Sequence, residues 1–222
     1  LKAEVPNWPG WESKPDVATA CDFLEFCFRH VALASPQAYH DFGRHHHLRF
    51  DIPGGQASFV AEVNLLLQRN QIALELEGDG RMRRLLDDPT GHAVMRARFR
   101  TGDPGLDRLL EEARLKFISP NPRVRQEAME RAWDAWERLK TVKDSDKRRG
   151  VRVLLDAVAT DPVVRQMLED EARVLTGLGN SLHIRHSETT QVEIGDLDLL
   201  DYLFQRQFAF MLLVLRKNSM LL

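Results

Sequence analysis

The densest group of side chains able to move a proton or hold a charge lies near the C-terminus. The segment Leu178-Gly179-Asn180-Ser181-Leu182-His183-Ile184-Arg185-His186-Ser187-Glu188 holds two imidazoles, a guanidinium, an amide and a carboxylate. Imidazole gives or takes a proton near neutral pH. A guanidinium holds a phosphate or a developing oxyanion, and Glu188 is placed to orient one ring. These are the parts of a phosphodiester-cleaving set. On a helix, Asn180, His183 and His186 share a face at three-residue steps. The bland reading is that the same groups cap helices and bond one another, with Arg185 and Glu188 as a salt bridge.

Two further groups carry charge or ligand chemistry. Between Arg138 and Arg152 stand Arg138, Lys140, Lys143, Lys147, Arg148, Arg149 and Arg152 against only Asp144 and Asp146, a local balance of +5. Such a run suits RNA phosphates, whose contacts supply affinity and salt dependence more than sequence reading; it also suits a solvated connector. No aromatic residue interleaves it, which argues against a base-stacking strip. The other group is His45-His46-His47 with His40 nearby. Consecutive imidazoles on an extended chain point to opposite sides, and no cysteine or carboxylate pattern completes a familiar zinc set, so no metal site is expected. Gly78-Asp79-Gly80 is turn chemistry rather than a phosphate-cradling loop, and no serine stands in a nucleophile-elbow context.

Elements able to position these groups follow from apolar spacing. An irregular arm with Trp8 and Trp11 precedes a helix from Asp16 to about Ala34, on which Cys21 and Cys27 diverge and cannot bridge. Ser35-Pro36 and the histidines read as a loop. A helix at Gln56–Gln68 leads to two short runs around an Asp-Gly turn, a small β-hairpin that must lean on its neighbours. Asp103-Pro104 reads as a helix start, the acid accepting from free N–H groups and proline in the first turn. The spacing predicts helices ending near Phe117, over Arg123–Lys143, over Val151–Val158, from Asp161-Pro162 to about Leu175, and over Leu197–Lys217. Gly150 reads as an interruption of a basic connector. The expected division is a 1–102 α+β portion and a 103–222 helical portion.

Composition bounds the class. The chain has 222 residues, 43 % hydrophobic and 29 % charged, an ordinary globular mix that excludes a disordered or collagen-like chain. Lys plus Arg is 31 and Asp plus Glu is 33, so no global basic excess points to nucleic acid. Two cysteines cannot staple a domain of this size, and a reducing cytoplasm is the expected location. The longest apolar run, Phe208 to Leu215, falls far short of the roughly 20 residues that span a bilayer. No targeting signal is read at the start, and an opening Leu1 rather than Met reads as a trimmed chain.

The C-terminal half resembles HEPN-fold proteins of bacterial phage defence, particularly the abortive-infection AbiJ-type group. Ala128 to Lys140 is similar to that family's long helix ending in a lysine-bearing turn. Leu178-Gly179-Asn180 leading to Ile184–Glu188 stands where the family has its Arg/His segment, and Asp201-Tyr202-Leu203-Phe204 opens a closing apolar helix. Arg69-Asn70, Leu74-Glu75-Leu76 and Gly80-Arg81 look like a module that precedes such domains, so the likeness spans residues 55–216. It implies a mainly α fold, a HEPN-like helical bundle behind a small α+β portion with one β-hairpin. It also implies a homodimer and RNA cleavage without a metal or other cofactor. The family motif is an arginine, four to six residues, then a histidine. Here Arg185 is followed at once by His186, and adjacent helical residues point about 100° apart. The expectation is therefore a cytoplasmic phage-defence or toxin-type component that engages RNA, with His186 or His183 as acid/base and Arg185 on the phosphate if it cleaves. The alternative is a catalytically inactive subunit that dimerises or holds a protein partner through the Trp133/Trp136 helix and the apolar closing helix.

Overall fold

The computed structural model describes residues 3–5, 7–9, 13–86, 89–181 and 194–222. The chain divides into two compact units, Leu1–Leu85 and Leu86–Leu222. The division falls earlier than the expected 102/103 boundary. The reason is α3 (Pro89–Arg96), whose Val94 belongs to the C-terminal core.

In the first unit, α1 (Val17–His30) starts where the Asp16 carboxylate accepts from the Thr19 N–H at 2.7 Å. The segment expected to be a loop is instead a hairpin of β1 (Leu33–His40) and β2 (His45–Asp51), antiparallel, with a register shift between Pro36 and Tyr39. Both strands are exposed throughout, so no inward/outward alternation of apolar residues marks them in the sequence. Where one hairpin is expected, two two-stranded sheets occur among the described residues. Asp51 then caps α2 (Ile52–Arg69) with Pro53 in its first turn. The second hairpin, β3 (Leu74–Leu76) with β4 (Met82–Arg84), leans on both helices. The Asn64 side chain clamps the Leu76 backbone at 2.8 and 2.9 Å, and Glu25 accepts from the Met82 N–H at 2.8 Å. Cys21, Phe28, Val63, Leu76 and Met82 form the small core. Both cysteines are free thiols, and burial with two nearby acids pushes Cys21 up to about 12.

The second unit is helical. After α3 come α4 (Pro104–Phe117), α5 (Pro122–Leu139), α6 (Lys147–Asp156), α7 (Pro162–Ser181) and α8 (Leu197–Lys217). Asp103, Asn121, Asp146 and Asp196 cap four of them by accepting first-turn N–H groups. The core is an aromatic stack. Phe117 lies on Phe204 at 3.9 Å, Phe204 is followed by Phe208 at 5.1 Å, and Trp136 meets Phe210 edge-on at 5.6 Å. Two ion pairs tie α8 to its neighbours: one Arg125 nitrogen donates to both Asp201 oxygens at 3.0 and 3.1 Å, and Arg206 forks onto Glu171 through two nitrogens at 2.8 and 2.9 Å. Trp133 and Trp136 are both buried in this core. The alternative expected the helix that carries them to serve as a docking face; instead Trp136 packs on Phe210 of α8 and bonds Thr176 of α7, and Trp133 lies against Gly179 of α7. No helix among the described residues is long and apolar enough to cross a membrane.

Candidate functional site

Where α5 ends, three helices bring cations together. The Thr141 hydroxyl donates to the Arg138 carbonyl at 2.7 Å and closes α5, short of the Lys143 end expected from spacing. Asp144 and Asp146 turn the chain, Asp146 capping α6 through the Arg149 N–H at 2.9 Å. The basic connector is therefore mostly helix, and Gly150 lies inside it. A Cβ at Gly150 would sit 1.8 Å from the Lys140 carbonyl oxygen, so the absence of a side chain is what lets α6 close onto the end of α5.

That approach, with α7 alongside, leaves a groove of about 530 Å³ lined by Lys140, Lys147, Arg148 and Arg152 from the basic run, and by Arg173, Thr176 and one carboxylate, Glu169, from α7. Four of the seven basic residues read from the sequence converge here. The other three are placed differently. Arg138 forks onto the α4 cap Asp103 at 2.9 Å through two nitrogens, and this guanidinium holds the Asp103 carboxyl below its ordinary range. Arg149 folds onto Asp144 at 3.0 and 3.2 Å. Lys143 is exposed outside the lining.

The groove's cations differ in availability. Lys140 is 5 % exposed; its ammonium bonds Glu137, reaches the Thr176 hydroxyl at 3.4 Å and stands 5.7 Å from the Trp136 ring centroid. Lys147 bonds the other Glu137 oxygen at 2.7 Å. Burial pushes the Glu137 carboxyl up, yet the two ammonium groups outweigh it and hold it below its ordinary range. Arg173 pairs with Asp170 at 2.8 Å. Arg148 and Arg152 are exposed and have no ion-pair partner among the described residues. They are the two cations most open to an anionic ligand.

Thr176 and Arg173 were not found by sequence reasoning. Thr176 is the hub beneath the groove: it accepts from the Trp136 indole at 3.0 Å and donates to the Ala172 carbonyl at 2.8 Å. Only the α5–α7 packing brings it there. Of the catalytic candidates, Asn180 lies exposed in the last turn of α7, which runs past the expected end at Leu175 to Ser181. His183, Arg185, His186 and Glu188 lie outside the described residues.

The first unit carries a second constellation. His40, His45 and His47 project from one face of the β1–β2 hairpin, with ring centroids 5.3 to 5.5 Å apart. Among the described residues, one ligand nitrogen from each of these three imidazoles lies within reach of a shared metal ion. Compared with models of protein families, with curated proteins and with solved structures, the chain matches none.

Proposed function

We propose that the C-terminal unit is a HEPN-like helical domain that engages RNA, with the α5–α6–α7 groove as its phosphate-binding face. The reading makes the protein a phage-defence or toxin-type component. The observation that carries it is the convergence of Lys140, Lys147, Arg148, Arg152 and Arg173, from three helices, on one open groove. Charge-assisted bonds from guanidinium forks suit phosphate oxygens. Among the described residues no aromatic ring lines the groove, so binding is dominated by backbone phosphates and tolerates sequence. Fluorescence anisotropy with a labelled single-stranded RNA tests this. The double variant Arg148→Ala/Arg152→Ala, altering exposed side chains only, is expected to lose roughly tenfold in affinity. Unchanged affinity would remove the groove from the account.

In its sharper form the reading includes metal-independent cleavage. His186 or His183 would act as general acid/base, Arg185 would hold phosphate charge, and Asn180 and Glu188 would orient them. RNA degradation in the presence of a chelator, abolished by His186→Ala, is the expected outcome; equal cleavage by that variant sinks the assignment.

One observation favours the second reading, a non-enzymatic subunit that pairs with a copy of itself or a partner protein. Val163, Met167 and Val174 fall on one stripe of α7 and are 78 %, 61 % and 47 % exposed. Light scattering separates the two: a dimer that degrades no RNA supports the subunit, and a monomer that degrades RNA excludes it.

A further inference from the structure

We propose that the first unit carries a three-histidine site for a divalent transition metal, zinc first among them, formed by His40, His45 and His47. The register of the hairpin builds it. His40 is the cross-strand partner of His45, so both point to the same face, and His47 follows two residues along β2 on that face. His46 points the other way, where its ring meets Tyr39 at 5.0 Å and its Nδ1 lies 2.9 Å from the Gln37 carbonyl. The alternation that argued against His45-His46-His47 as a set therefore sorts them instead: two stay, one leaves, and β1 supplies the third.

One ligand nitrogen from each of the three imidazoles lies within 4.8 Å of the others. Nitrogens about 2.0–2.1 Å from a tetrahedral zinc stand about 3.4 Å apart. Closing the site thus needs side-chain movements of about 1.4 Å or less, within the reach of exposed rings on χ rotation. Two local features hold the rings in place. The Gly43 carbonyl lies 3.0 Å from His45 Nδ1; a carbonyl only accepts, so Nδ1 carries the proton and Nε2 keeps the lone pair, the outer-shell arrangement seen around ligating histidines. Gly43 itself lies beneath the rings: a Cβ there would be 2.6 Å from His45 Cε1 and 2.9 Å from His40 Nδ1. A side chain at 43 would push both imidazoles out of the cluster. Three imidazoles leave a fourth coordination position to solvent, the open arrangement of zinc sites that accept a further ligand. Imidazole donors suit zinc, nickel and copper over magnesium or calcium.

The test is titration of the full chain with Zn²⁺ alone in a non-coordinating buffer, read by calorimetry and by the visible absorption of Co²⁺ in its place. One equivalent is expected to bind. His40→Ala, His45→Ala and His47→Ala are each expected to weaken it by at least the 10- to 100-fold that even outer-shell changes cost, while His46→Ala, on the same hairpin, leaves it intact. Absence of stoichiometric binding by the wild type overturns the proposal. So does binding that survives all three cluster variants, or that falls equally in His46→Ala. None of these outcomes depends on RNA binding by the second unit.

Discussion

Glu137 sets how much of the charge of Lys140 and Lys147 is free. Its two oxygens engage Lys140 and Lys147, so it holds the end of α5 to the start of α6 while neutralising part of the groove's positive charge. Glu137→Gln keeps the shape and removes the charge. It is expected to raise RNA affinity several-fold and to lower stability by about 1–3 kcal/mol, since two ammonium groups, one of them buried, lose their counter-ion. An anisotropy titration paired with urea unfolding checks both signs. The same carboxylate gives a pH dependence. Its folded-state pKa is depressed below the ordinary 4.5, so its stabilisation is fully present above that value and is lost as the pH falls through the lower folded value. Urea midpoints should therefore drop on acidification below about 4.5 in the wild type, and drop less in Glu137→Gln.

The α5–α6 junction shows how helices set the site, and how far the sequence reveals it. Gly150→Ala ordinarily improves a helix interior by up to about 1 kcal/mol. Here the added methyl meets the Lys140 carbonyl oxygen, backbone that cannot rotate away. The variant is instead expected to lose about 1–3 kcal/mol and to weaken RNA binding by opening the groove, read from thermal melts and anisotropy. The bulk of the helices was legible beforehand: Asp103-Pro104 and Asp161-Pro162 announced their starts, and the closing helix 197–217 was read at its observed bounds. The β1–β2 hairpin was not, because its signal is cross-strand pairing on strands exposed on both faces. The basic run was legible as a charge excess. Which of its members converge was not, since Arg138 and Arg149 are spent on Asp103 and Asp144 through contacts that only the folded chain brings together. His183, Arg185, His186 and Glu188 lie outside the described residues.

At the scale of the molecule, a chain of net charge −2 carries a cationic groove in one unit and an imidazole cluster in the other. The overall charge opposes long-range steering by nucleic acid, so the proposed RNA binding rests on the groove's local field and is expected to be strongly screened by salt. The second unit holds its own aromatic core, with Phe117, Trp136, Phe204 and Phe208 fully buried. A chain limited to residues 86–222 is expected to unfold in one cooperative transition and to retain RNA binding; a non-cooperative melt would show that its core needs the first unit. The salt dependence of RNA affinity bears most directly on the central claim. For the wild type, log K against log salt should fall linearly, and in Arg148→Ala/Arg152→Ala the slope should become shallower by about 1.4, two phosphate contacts at about 0.7 each on a single strand. An unchanged slope in that variant would contradict the assignment of the groove as the RNA-binding face.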